Sequence, residues 1–141
     1  MKWVLFPVAA LIAVIVVIAI VGSMLPREHK ASRTLTTKRS PAEVWPVLMQ
    51  AMQSSSVPVD ILENQPPTRL VTRVTEKEKN FGGTWTTTLG ANTVTITEDG
   101  WVANPIFRFV SRFVMGHHAT MDGILTSVAN QLNEPVALSG E

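Results

Sequence analysis

From Trp3 to Leu25 the chain runs for 23 residues without a charge, WVLFPVAALIAVIVVIAIVGSML. At ~1.5 Å per residue such a helix reaches ~35 Å, and roughly 20 residues suffice to cross the hydrocarbon of a bilayer. Val, Ile and Ala fill every side of it, with no polar stripe. Pro7 falls in the first turns, where a missing N–H costs little. Trp3 and Phe6 suit a membrane interface, and Pro26 and Arg27 stop the run. The pattern predicts a transmembrane anchor over residues 1–26. A cleaved signal peptide is the alternative. Its apolar region usually runs about 7–15 residues to an A-x-A-like site. Here the run is longer and Val21-Gly22-Ser23 is a mediocre site, so the anchor is expected to stay.

Beyond it the pattern changes period. Glu28 to Thr36 alternates weakly and reads as a strand. Ser40-Pro41-Ala42-Glu43 combines an N-cap, a proline at the first helical position and a glutamate three residues on, a helix start. That helix should reach about Gln53 and bury Val44, Val47, Leu48, Ala51 and Met52. Pro46 should kink it or tighten its first turn. Val59–Glu63 adds a short strand. Arg69–Glu76 follows Pro66-Pro67 and is rich in β-branched residues. Gly83–Leu89 alternates Trp85, Thr87 and Leu89 against threonines, and Asn92–Asp99 sets Val94 and Ile96 against threonines. Only Gly90-Ala91 separates these two, so they form an antiparallel hairpin in a sheet wet on one face. Asn104-Pro105 opens a last helix. Ile106, Phe109, Val110, Phe113, His117, Met121, Ile124, Leu125, Val128 and Leu132 recur at spacings of three and four. They predict one long helix of about 27 residues, or ~40 Å. Gly116 and Gly123 lower its propensity. Pro135 ends it, and residues 136–141 form a flexible tail.

These elements define an α+β protein. An N-terminal transmembrane helix is followed over residues 27–135 by an antiparallel sheet of about five strands packed on a long C-terminal helix.

Composition narrows the chemistry. The chain of 141 residues has no cysteine, which excludes disulfides, thiolate metal sites and a cysteine nucleophile. Its net charge of +1 speaks against nucleic acid held mainly by charge. Arg27, Lys30, Arg33, Lys38 and Arg39 follow the apolar run against Glu28 alone. By the positive-inside rule the folded domain is expected in the cytoplasm, on a single-pass cell-membrane protein.

Several stretches resemble the SRPBCC, or START-like, helix-grip superfamily, in its bacterial polyketide cyclase/dehydrase-like branch. They are LPREHKASRTL, SPAEVWPVL, PPTRLVTRV, FGGTWTTTL, TVTITEDGWVANPIFRFVSRFVMGHHATMD and the final helix, together most of residues 25–132. Thr95–Asp122 is the most specific. The resemblance implies a curved antiparallel sheet gripping a C-terminal helix, with an apolar cavity between them. One region departs from the pattern. Family members usually continue after the first helix with a second short helix and two more strands. Here Gln53 leads almost directly to Val59–Glu63, which resembles the fourth family strand. The shortening removes one wall of the cavity and leaves an edge strand unprotected.

The resemblance implies a membrane-tethered domain binding an apolar, lipid-like ligand against Trp85, Trp101, Phe109, Phe113, His117 and Met121. Trp45 and Phe107 are further aromatic candidates, and all of these serve first as core. The expected partners are membrane lipid, an apolar small molecule and, through the open edge, a second copy of the chain. His117-His118 is the most conspicuous polar pair. Adjacent helical positions diverge, so the two do not chelate one metal, and no HxxxH spacing exists. His118 and Asp122, at i,i+4, are placed to pair. Glu98-Asp99-Gly100 reads first as a turn, as do Gly82-Gly83 and Glu76-Lys77-Glu78-Lys79. Arg108 and Arg112 read as a solvated helix flank able to meet anionic lipid. No cofactor fingerprint, metal cluster or Ser/His/Asp order is present. Catalysis of a cyclase or hydrolase type therefore ranks below ligand binding and below an interaction module.

Overall fold

The alternating segments pair into one antiparallel sheet of six strands. The computed structural model describes residues 1–55, 58–74, 80–116 and 118–140. In chain order the elements are α1 (Lys2–Met24), β1 (Glu28–Thr36), α2 (Pro41–Gln53), β2 (Val59–Gln65), β3 (Arg69–Val74), β4 (Phe81–Leu89), β5 (Thr93–Val102), α3 (Pro105–Val110), a π-helical stretch (Ser111–Met115), α4 (Ala119–Gln131) and β6 (Leu138–Ser139). The sheet order is β2-β3-β4-β5-β1-β6. Strands β2 to β5 form a meander. β1 then pairs along β5 from Glu28↔Trp101 to Thr36↔Thr93, so the first strand after α1 lies beside the last long one.

Period-two alternation decides which residues face the helices. Leu70 and Thr72, Trp85, Thr87 and Leu89, Val94 and Ile96, and Ala31 and Leu35 are buried on one side of the sheet. Against them lie Val44, Leu48, Ala51 and Met52 of α2 and Met121, Ile124, Leu125, Val128 and Ala129 of α4. Val47 is only partly buried. Two polar links fasten the helices down. Arg33 on β1 donates from Nε and Nη2 to the two carboxylate oxygens of Asp122 on α4, at 2.8 and 3.3 Å. Past the end of α4, Glu134 accepts from the Thr37 hydroxyl at 2.7 Å and from the Lys38 amide at 3.1 Å.

The start of α2 forms as its sequence dictates. The Ser40 hydroxyl accepts from the Glu43 amide, and the Glu43 carboxylate accepts from the Ser40 amide. These bonds from Ser40, with Arg39 nearby, hold the Glu43 carboxyl below its ordinary value. The helix runs unbroken through Pro46. Ala42 and Pro46 both lie on the exposed side, so the carbonyl that the proline cannot serve is open to solvent.

Three features differ from the sequence pattern. The C-terminal helix is not continuous. It passes from α3 into π geometry and stops at Gly116, whose φ of +73° with ψ of 155° is a conformation open mainly to glycine. Only the second half, α4, covers the sheet. The first half turns away to pack on the end of α1, where a Cβ at Gly22 would collide with the Pro105 carbonyl. The tail is not loose throughout, because Leu138 pairs with Leu35 and Ser139 with Thr34, adding a sixth strand. Finally, Glu98, Asp99 and Gly100 lie inside β5 and Gly82 and Gly83 inside β4, not in turns. The turn expected at residues 76–79 lies outside the described residues.

Leu125→Ala should cost about 2–5 kcal/mol, since Leu125 is fully buried between α4 and the sheet. Ser40→Ala should cost about 1 kcal/mol through loss of the cap. Chemical denaturation of the detergent-solubilised chain measures both. The folded-state pKa of Glu43 is depressed, so its contribution is present above the ordinary value of 4.5 and is lost as pH falls through the lower folded value. Gly116→Ala should destabilise by about 1–2 kcal/mol although, among the described residues beyond its chain neighbours, no atom lies within 4 Å of the added Cβ, because the strain is in the backbone.

Candidate functional site

The inward positions of β5 change character along the strand. Val94 and Ile96 belong to the core, Glu98 is a carboxylate, and Gly100 carries no side chain. The neighbouring strands match this change. Trp85 on β4 stands directly across from Glu98, and Gly83 across from Gly100. On β1, His29 stands opposite Gly100. The result is a polar cluster on the helix-facing side. Glu98 Oε2 accepts from the Trp85 indole N–H at 2.7 Å. Glu98 Oε1 lies 2.6 Å from His29 Nε2. The His29 and Glu98 side chains are each only 17 % exposed.

Glycines make this approach possible. A Cβ on Gly100 would sit 2.6 Å from the His29 ring and 2.8 Å from Glu98 Oε1. A Cβ on Gly82 would sit 2.9 Å from the Trp101 ring, and one on Gly83 would run into the Asp99 carbonyl. The sheet end is therefore a flat floor. His29 leans across it towards Glu98, while the Trp101 ring lies over Gly82 on the opposite face of the sheet.

Because α4 begins only after Gly116, it leaves this floor uncovered. A pocket of about 350 Å³ occupies the space. Its floor is Gly83, Trp85 and Glu98, Gly82 and Trp101 border it at the end of the sheet, and its roof is Phe107, Val110, Met115 and Gly116. Most of the wall is apolar, with His29 and Glu98 as its polar end. A site of this kind suits a small molecule with an apolar body and one polar group. An imidazole held against a carboxylate can also bind or relay a proton. Among the described residues, no three His, Asp or Glu side chains converge as a metal site.

Of the residues expected to line a ligand, Trp85 and Trp101 border this pocket, Trp85 from its inner face and Trp101 from the edge of the sheet. Phe109 does not; its ring packs on Phe113 with centroids 5.0 Å apart, and Phe113 is exposed. Met121 is fully buried in the core under α4. His117 lies outside the described residues. The expected His118–Asp122 pair does not form, because Asp122 is taken by Arg33. His118 Nε2 is buried without a hydrogen-bond partner among the described residues.

Arg108 is not a solvated flank. Its guanidinium donates to the carbonyls of Val102 (2.8 Å), Ala103 (2.7 Å) and Leu25 (3.2 Å). It thereby ties α3 to the end of β5 and to the cap of α1. Arg112 is exposed. The sequence reading missed His29 and Glu98 as site residues. The signal was available: in the alternation Val94, Ile96, Glu98 the carboxylate falls on the apolar face.

A scan against protein-family models finds no match, and a search of the curated proteins finds none either. The resemblance to the helix-grip superfamily rests on the quoted motifs alone.

The Trp85 indole N–H resonance, identified as the one that Trp85→Phe removes, should move upfield in Glu98→Gln as a charge-assisted bond becomes a neutral one. An unmoved resonance would mean that Trp85 and Glu98 are not bonded in solution. Gly83→Ala should splay β4 from β5 and lower the melting temperature more than Gly123→Ala, where the added Cβ meets open space.

Proposed function

We propose that this is a membrane-tethered START-like domain that binds an apolar or lipid-like ligand between the sheet and the interrupted C-terminal helix. The observation that carries the reading is the pocket itself: apolar walls, Trp85 beside a glycine floor, and one polar cluster at its end. The ligand's apolar body lies between Trp85 and Phe107, and its polar group reaches His29 and Glu98. The α1 helix, long and apolar enough to cross a membrane, supplies the tether and puts a source of lipophiles beside the pocket. The domain sits on the cytoplasmic side, following the basic residues after the span. Digestion of the domain by protease added outside spheroplasts would reject that sidedness.

A second reading has its own support. β2 is the edge of the sheet and exposes Ile61 and Leu62. Such an edge can pair with a second copy. A chain that stays monomeric in detergent, with fast amide exchange along β2, would count against it.

The first reading is tested on the delipidated, detergent-purified full chain. A fluorescent fatty-acid analogue should bind and quench tryptophan emission. Phe107→Ala should weaken that binding about ten-fold, or ~1.4 kcal/mol. Phe113→Ala should leave it unchanged, because Phe113 does not line the pocket. Absence of any co-purifying or exchangeable lipophile would overturn the proposal.

A further inference from the structure

The apolar side chains of the first half of the C-terminal segment face outward. Ile106 and Phe107 are exposed, and Phe113, Val114 and Met115 are exposed to 60, 72 and 67 %. Between residues 106 and 115 the only charges are Arg108 and Arg112. Arg108 is turned inward onto three carbonyls. A run of large apolar side chains of this kind marks an interaction surface.

Its surroundings identify the partner. The patch begins where the span ends: Gly22 of α1 is buried against Pro105 at the start of α3. It cannot swing away, because Arg108 holds α3 to Leu25 at the end of the span and to Val102 at the end of the sheet. Arg27 and Arg112 are both exposed and share one cleft with Leu25 and Pro26. Apolar side chains continuous with a membrane span and bordered by arginines match the layering of acyl chains under phosphate headgroups.

We infer that α3 and the π-helical stretch form a second membrane contact. They lie in the interface of the bilayer that α1 crosses, with Phe107, Phe113, Val114 and Met115 among the acyl chains and Arg27 and Arg112 at the phosphates. Phe107 and Met115 also line the pocket, so its mouth opens sideways towards lipid. The inference rests on the reading of α1 as a span and is independent of what the pocket binds.

The absence of cysteine makes the test direct. Single cysteines at Val114 and Met115 carry an environment-sensitive fluorophore in the full chain, reconstituted in vesicles of equimolar phosphatidylcholine and phosphatidylglycerol. Val14→Cys reports the centre of α1, and Asp60→Cys reports the exposed edge of the sheet. Labels at positions 114 and 115 should be quenched several-fold more by nitroxide on lipid chains than by aqueous iodide, as at position 14, with the reverse at position 60. Lipid quenching at position 14 together with aqueous quenching at 114 and 115 overturns the second contact and leaves the span intact. Aqueous quenching at position 14 as well overturns both. Protection of 114 and 115 from both quenchers, with cross-linking between copies, would instead assign the patch to a protein interface and overturn the proposal.

Discussion

The inward face of β5 loses its side chains as the strand runs on, from Val94 and Ile96 through Glu98 to Gly100. The architecture depends on this gradient. At the apolar end the sheet must be covered, and α2 and α4 cover it with fully buried Leu48, Leu125 and Val128. At the glycine end little apolar surface needs covering by a helix, and a helix laid flat there would have to desolvate a carboxylate. The break at Gly116 falls where the cover changes from α4 to the looser roof made by α3 and the π stretch. Core and pocket are thus two ends of one sheet face.

Charges that composition presents as a neutral balance are placed with care. Arg33 and Asp122 join sheet to helix, and Glu134 joins the end of α4 to the start of α2. Arg108 serves three carbonyls that lie beyond the ladder and helix bonds, one each from the span's cap, the end of β5 and the residue after it. Losing that guanidinium would leave those carbonyls short of a donor and free α3 from the sheet. These links couple α1 to the pocket: α1 meets α3, and α3 carries Phe107 and Val110 of the pocket roof.

Much of the fold was legible because it follows from local rules. The apolar run marked α1, the capping box marked the start of α2, and alternation marked the strands, with β1 matching its expected limits of Glu28 and Thr36. The C-terminal helix misled because spacing of three and four continues across Gly116. Periodicity reports which residues share a stripe, not what that stripe meets. Phe109 and Phe113 hold the right positions for a sheet-facing helix, yet they lie on the far side of the helix break at Gly116 and pack with each other. His29 and Glu98 were overlooked for the opposite reason. Glu98 stands out in its strand only as a carboxylate on the apolar face, His29 looks ordinary in its own, and they meet only across the β1–β5 pairing, 69 residues apart.

The sequence by itself determined the period of each segment, and so the apolar helix, the α+β class and which side of each strand is buried. It also determined what chemistry is unavailable, since a chain without cysteine has no thiolate or disulfide. Only the tertiary structure decided where the helix cover stops, which charges become internal links and which polar residues share the pocket. Those outcomes depend on contacts between segments far apart in the chain. A glycine that looks like a turn in isolation becomes, beside a second strand, the space into which a histidine can lean.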